Sequence, residues 1–323
     1  MADVERIVFL YEEPRVPDLI VETFKAQVPN GFALDFCPLH TPDDQRRALV
    51  AKASYLVAYG GAFDDFDVAE SVKLFQVLSA GFDRLDMGAF KEAGIPVANN
   101  GGANAPTVAE HSVMLMLSVF RKLPLHHAEL TNGNWLGHKN VLSMRELRGK
   151  QVGIVGFGQI GREVARIVNG FLAKPVYFDV QQAPEEIEKE LSANRLSLDA
   201  LLETSDVVSV HTPLNDATRK LMNRDAFAKM KASAIYVTTA RGAVTDEAAL
   251  IEALDNGTIA GAGVDVFEQE PTVADNALFN RDNVVVTPHI AGSTIDTWYR
   301  RIEFALSNIQ RVAGGKEPLA RVG

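Results

Sequence analysis

The run from residue 151 to residue 171 constrains the fold most. Gln151–Val155 reads as a short buried strand, Gly156-Phe157-Gly158-Gln159-Ile160-Gly161 follows without a gap, and Arg162–Phe171 carries apolar residues at helical spacing. A G-x-G-x-x-G by itself fits a glycine-rich turn with no ligand. Between a strand and a helix it has the context that a dinucleotide-binding crossover demands. Gly156 permits the tight turn, Gly158 lets backbone approach a pyrophosphate, and Gly161 allows close helix–strand packing. The helix N-terminus adds free N–H groups and a positive dipole end. Lys174–Asp179 reads as the next strand, and its terminal acid lies 18 residues past Gly161, near the ~20 at which a carboxylate takes the ribose hydroxyl of NAD. That carboxylate would repel the 2′-phosphate of NADP, and Val180, Gln181 and Gln182 supply no cation beside it. NAD is the expected cofactor.

Strand-like and helix-like segments alternate on both sides of this run, which implies parallel sheets covered by helices. Arg6–Tyr11, Ala33–Phe36, Tyr55–Ala58, Leu74–Leu78 and Pro96–Ala98 form a first series of strands. A second comprises Gln151–Val155, Pro175–Asp179, Asp206–Val210, Ala234–Thr238, Gly261–Val264 and Asn283–Thr287. Long helical patterns at Ala105–Arg121 and Ser293–Ala313 flank the second series. Thr41 before Pro42 is expected to cap one helix, and Thr245 another that Gly257 stops. The expected class is α/β with two doubly wound parallel-sheet domains. A Rossmann nucleotide domain over 104–293 is inserted into a flavodoxin-like substrate domain made of 1–103 plus 294–323, with the flanking helices as a hinge.

The 323 residues suit two domains of ordinary size. The net charge is −10, from 32 basic and 42 acidic residues. That argues against nucleic acid as a partner, because phosphate contacts need clustered Lys and Arg. Cys37 is the only cysteine, so no internal disulfide or cysteine metal cluster is expected. No metal-ligand motif is present, and no apolar run approaches the ~18 residues that would suggest a membrane span. A cytoplasmic protein is expected.

Three residues beyond the glycine loop carry chemistry. Arg241 directly follows the strand Ala234–Thr238, where doubly wound sheets bind ligands, and can grip a carboxylate bidentately. His289 follows the last strand and suits proton transfer near neutral pH. A carboxylate beside it would favour the imidazolium. Glu270 and Glu268 both qualify, and spacing does not separate them. The other histidines His40, His126, His127 and His138 read as structural.

With these residues in place the chain resembles the D-isomer-specific 2-hydroxyacid dehydrogenase family over nearly its whole length. The resemblance rests on Ser79-Ala80-Gly81-Phe82-Asp83, Gly94-Ile95-Pro96-Val97, Val108-Ala109-Glu110-His111, His211-Thr212-Pro213-Leu214, Arg241-Gly242, Gly263-Val264-Asp265-Val266-Phe267 with Glu270-Pro271, and Thr287-Pro288-His289. It implies that Arg241 binds the substrate carboxylate, that His289 moves the proton, and that Glu270, not Glu268, pairs with it. It implies cofactor contacts from Val108, Gly156, Gly158, Gln159, Ile160, Gly161, Asp179, Thr212, Pro213, Thr239, Ala240, Arg241, Asp265, His289, Ala291 and Gly292, with Asp265 near the nicotinamide amide. Ala80 and Gly81 would hold the carboxylate beside Arg241 and His289. The implied assembly is a homodimer through the nucleotide domains, with the Lys122–Leu147 arm reaching across.

The implied activity is NAD(H)-dependent reduction of a small 2-oxo acid, of glyoxylate or hydroxypyruvate type or another, to its D-2-hydroxy acid. Thr238 stands where the family often has Asn. Glu270 argues against formate dehydrogenase relatives, and Ala80 against phosphite dehydrogenases. Tyr59 and Gly60 offer no Arg for a phosphate, and a chain ending at Gly323 is expected to lack the regulatory extension of long phosphoglycerate dehydrogenases. The competing class is an NADH-sensing, corepressor-like binding protein, which would keep the same Arg/Glu/His set.

Overall fold

The computed structural model describes residues 4–13 and 15–322; the outermost residues of the expected substrate domain, 1–3 and 323, lie outside them. Chain contacts divide the molecule into two compact units, Met1–Asn104 with Thr294–Gly323, and Ala105–Ser293.

The first unit opens with β1 (Glu5–Tyr11), α1 (Asp18–Gln27), β2 (Phe32–Pro38), α2 (Asp43–Val50), β3 (Tyr55–Tyr59), β4 (Leu74–Val77), α3 (Met87–Glu92) and β5 (Val97–Ala98). The second holds α4 (Ala105–Arg121), α5 (Leu123–Thr131), β6 (Gln151–Val155), α6 (Gln159–Gly170), β7 (Lys174–Phe178), α7 (Glu185–Glu190), β8 (Asn194–Arg195), α8 (Leu198–Thr204), β9 (Val207–Val210), α9 (Arg224–Lys229), β10 (Ile235–Thr238), α10 (Glu247–Asp255), β11 (Gly261–Val264) and β12 (Val284–Val286). The chain then returns to the first unit with α11 (Ile295–Ala313) and β13 (Arg321–Val322).

The first sheet runs β13-β5-β4-β3-β1-β2. It is parallel except for β13, which pairs antiparallel with β5. Without that edge strand the order is the flavodoxin-like 2-1-3-4-5. Strand β1 is buried on both faces, as a covered parallel sheet requires. Ile7, Phe9 and Tyr11 pack with α1 and with Trp298, Ile302, Ala305 and Ile309 of α11. Val8 and Leu10 join Val50, Phe75 and Phe90 on the opposite side. The second sheet runs β12-β11-β10-β9-β6-β7-β8, all parallel. Counted from β6 this is the Rossmann order 3-2-1-4-5-6 with a seventh strand added, so the order reverses between β6 and β9.

Two helix starts differ from expectation. Thr41 does not cap α2: its N–H donates to the Pro38 carbonyl in the turn leaving β2, and Pro42 takes the cap position with no side-chain bond. Thr245 does not cap α10, because its hydroxyl is bonded to the Tyr236 hydroxyl at 2.6 Å; Asp246 caps instead, accepting from the Ala249 N–H. Gly257 does lie just past that helix, at φ +66°. Strand β7 ends at Phe178, so Asp179 is the first residue beyond it. Among the described residues no helix is long and apolar enough to cross a membrane.

Candidate active site

The candidate residues of the second unit gather at the carboxyl ends of its parallel strands. The glycine loop leaves β6, Asp179 leaves β7, His211–Pro213 leaves β9, Thr239–Arg241 leaves β10, Asp265 leaves β11 and Thr287–Gly292 leaves β12. These loops flank the reversal in strand order, the place where such sheets bind ligands.

Gly156 sits at φ +94°, and a Cβ there would come within 2.8 Å of the His211 carbonyl carbon and 2.9 Å of the Thr212 nitrogen. The turn after β6 and the turn after β9 touch through backbone alone. A Cβ on Gly161 would lie 2.2 Å from the Gly156 carbonyl oxygen, so α6 starts directly against the loop. A Cβ on Gly158 would meet nothing within 4 Å, leaving a backbone cradle open to a ligand. Asp179 accepts from the Phe157 N–H at 2.7 Å and the Gln181 N–H at 3.1 Å, which locks the loop to the end of β7. The buried Thr212 hydroxyl has no hydrogen-bond partner among the described residues. An open cradle at a helix N-terminus, an acid beside it and an orphaned hydroxyl fit a dinucleotide.

Several contacts here escaped the sequence. Arg195, on the two-residue strand β8, donates to the carbonyls of Asp179 and Val180, so a cation does stand beside Asp179. Val108 is buried in α4, its carbonyl accepting from the Ser112 hydroxyl, which also bonds Thr239. His211 bonds Ser209 at 2.8 Å, and burial pushes its imidazole down to about 3. His211 therefore stays neutral at working pH. Pro213 turns its carbonyl to Thr218, and Gln159 and Ile160 open α6.

Glu270 and His289 are brought together. His289 Nδ1 lies 2.6 Å from Glu270 Oε2, while Glu270 Oε1 accepts the Phe267 N–H at 3.0 Å. Burial alone would raise the Glu270 carboxyl. The hydrogen bonds from His289 and Phe267 and the charges of His289 and Arg241 outweigh it and hold the group below its ordinary value. An ionised carboxylate can only accept, so Nδ1 carries a hydrogen and Nε2 is the nitrogen free to exchange one. The imidazole is 43 % exposed, which lets a small molecule reach it. Glu268 is turned elsewhere: its N–H donates to Glu247 and its carboxylate faces Lys220.

Arg241 is held at its own loop by a bond from its guanidinium to the Ala240 carbonyl. The next residue, Gly242, brings this loop against the one bearing Glu270. A Cβ on Gly242 would lie 1.8 Å from the Phe267 carbonyl oxygen and 2.5 Å from the Glu268 nitrogen. Asp265 is fully buried and accepts from the Thr287 hydroxyl and the Ile290 and Ala291 N–H groups. Ala80 and Gly81 belong to the first unit, in the turn leaving β4, where their carbonyls accept from Asn99 and Ser79.

Comparison with known proteins adds an independent finding. Residues 113–291 match the sequence model of the D-isomer specific 2-hydroxyacid dehydrogenase NAD binding domain. A hydroxypyruvate reductase of Thermotoga maritima is 38% identical over 84% of this chain and 88% of its own. A glyoxylate reductase of Thermofilum pendens is 39% identical over 79% of this chain and 76% of its own. The crystal structure of a glyoxylate reductase from Paecilomyes thermophila superposes with a TM-score of 0.84 at 29% identity, covering 98% of both chains.

Proposed function

This chain belongs to the D-isomer-specific 2-hydroxyacid dehydrogenase family, and from that premise we propose that it reduces a small 2-oxo acid of the glyoxylate or hydroxypyruvate kind. It is an NAD-dependent oxidoreductase of 2-hydroxy acids. The observation that carries the proposed mechanism is the 2.6 Å Glu270–His289 bond beside the Arg241 loop. The reductases among the relatives support the substrate class.

When bound, NADH supplies the hydride. Arg241 binds the substrate carboxylate and orients the keto oxygen toward His289. His289, charged and held by Glu270, gives its Nε2 proton to that oxygen as it gains negative charge. Glu270 keeps the ring fixed through Nδ1 and stabilises the imidazolium. In oxidation the neutral imidazole takes the hydroxyl proton back. The glycine loop, Thr212 and the first turn of α6 take the pyrophosphate, and Asp179 takes the ribose. The unit spanning 104–293 binds the nucleotide in this reading, and 1–103 with 294–323 binds substrate. NADH oxidation across a panel of 2-oxo acids tests the proposal; silence on every member with NADH still bound would favour a cofactor-sensing binding protein instead.

Asp179→Ala should narrow the preference for NADH over NADPH by about tenfold or more. Removing the carboxylate deletes the repulsion, and Arg195 already stands beside the vacated position. Ratios of kcat/KM for the two cofactors check this, and unchanged discrimination would refute the role of Asp179.

We also read the enzyme as a cytoplasmic homodimer. On the second unit, Val113, Met114 and Leu117 of α4 and Ile167 and Phe171 at α6 line an apolar groove. The 122–147 arm exposes Leu130, Trp135, Val141 and Leu142, the last by 88 %. Exposed apolar surface of this kind marks an interface, and a second copy of the arm supplies what the groove lacks. Leu142→Glu with Trp135→Glu should convert a dimer to a monomer in sedimentation; an unchanged mass would reject this interface.

A further inference from the structure

We propose that His111, on helix α4, is a positioning residue for His289, acting through the Thr287 hydroxyl and the Asp265 carboxylate. The inference rests on the reading of His289 as the proton-transferring group.

The direction of each hydrogen bond follows from what the groups can donate. Thr287 Oγ1 lies 2.6 Å from Asp265 Oδ1 and 3.0 Å from His111 Nε2. A carboxylate has no hydrogen to give, and a hydroxyl has one. The Thr287 hydrogen therefore points to Asp265, and at the other contact the hydroxyl oxygen accepts. His111 must then carry its hydrogen on Nε2. Burial lowers the His111 imidazole even with Asp265 3.6 Å away, so a neutral ring commits its one hydrogen to Thr287.

The far end of this relay is the loop that bears His289. Asp265 accepts the Ile290 and Ala291 N–H groups on its carboxylate, each at 2.9 Å, and the His289 N–H on its backbone carbonyl at 2.8 Å. One fully buried residue thus grips three successive amides. His289 itself is left-handed at φ +54°, a conformation that costs free energy in a residue with a Cβ and persists only where its surroundings over-determine it. The grip on residues 289–291 provides that determination. His111 and Thr287 hold the gripping carboxylate in one rotamer, and they tie α4 to a loop 176 residues away in sequence. Proton transfer falls steeply when a catalytic ring is displaced by ~1 Å, so loosening this relay should act on turnover before binding.

The test compares His111→Leu, which keeps the volume and deletes the donor, with His111→Gln, whose amide N–H reaches a similar position. His111→Leu is expected to lower kcat about tenfold, the effect of one lost hydrogen bond within a buried network, with little change in the NADH dissociation constant. His111→Gln should recover most of the loss. Thr287→Val should reproduce the His111→Leu deficit, and the double variant should be no worse than either single one, because both break the same relay. Wild-type kcat in His111→Leu, equal losses in the Leu and Gln variants, or additive losses in the double variant would each overturn the proposal. A nitrogen-15 NMR assignment of the His111 tautomer in the wild-type protein needs no substrate. A hydrogen on Nε2 supports the relay and one on Nδ1 rejects it. Lack of turnover in the wild type on the whole panel would count against the reading of His289, and the tautomer would still decide the relay.

Discussion

His289→Ala should slow 2-oxo acid reduction by about 10²–10⁴, the usual contribution of a positioned general acid. NADH binding should change far less than turnover, because the glycine loop and Asp179, on β6 and β7, keep their hold on the pyrophosphate and ribose. The wild-type pH profile carries the complementary signature. Burial drives His111 and His211 toward the neutral form. Reduction takes up a proton at the keto oxygen and oxidation releases one, so the reductive rate should fall and the oxidative rate should rise as pH increases. Glu270 is held below its ordinary value near 4.5. For such a depressed carboxyl, the stabilisation is present above the unfolded value and lost as pH falls through the folded one, so the contribution of the Glu270 carboxylate should be lost on the acid side. Steady-state rates in both directions check the profile, and a full-speed His289→Ala enzyme would sink the mechanism.

Gly242→Ala should be the most damaging single-methyl change near the site. Its Cβ would sit 1.8 Å from the Phe267 carbonyl oxygen and 2.0 Å from the carbonyl carbon, and backbone atoms cannot rotate aside as a side chain can. The β10 and β11 loops must separate. Overpacking of this kind costs about 1–3 kcal/mol or more, which for a unit of this size lowers Tm by several degrees. The separation also moves Arg241 away from Glu270, so kcat/KM should fall about a hundredfold or more even in the folded fraction. Thermal unfolding and kinetics on the same sample separate the two effects. A Gly242→Ala protein with wild-type Tm and activity would show that the loops are not in backbone contact in solution.

The residues at the strand ends were the most legible part of the sequence. Buried strands such as Gln151–Val155 and Gly261–Val264 have sharp edges, because apolar runs stop where the chain leaves the sheet. The residue types that follow them, Gly156, Arg241 and His289, are those the proposed chemistry calls for. What escaped is of another kind. Strands β8 and β13 are two residues each and carry little apolar signal. Thr245 looks like a cap by type, yet Tyr236 takes its hydroxyl, a choice no local pattern records. Glu268 and Glu270 are equivalent by spacing and are separated by their partners: His289 and Phe267 bond Glu270, while Glu268 lies against Lys220 and Glu247. The His111–Thr287–Asp265 relay joins three distant segments, each unremarkable by itself. Arg195 reaches the turn after β7 only because β8 adds to the sheet edge.

The return of the chain to its first unit has a consequence for how the protein is made. The core of that unit includes Trp298, Ile302, Ala305, Leu306 and Ile309 of α11, and its edge is finished by β13 on β5. A ribosome delivers β1–β5 before the second unit, but the helix that seals one face of their sheet emerges after it. The second unit, built from the continuous stretch Ala105–Ser293, contains all its own strands and can fold as soon as it clears the exit tunnel. Strands β1–β5 thus reach native packing only after the second unit has been made, with Phe9 and Phe24 exposed in the meantime. Truncation before Thr294 should therefore yield a folded nucleotide unit attached to an aggregation-prone N-terminal sheet, readable as a soluble 105–293 fragment after limited proteolysis.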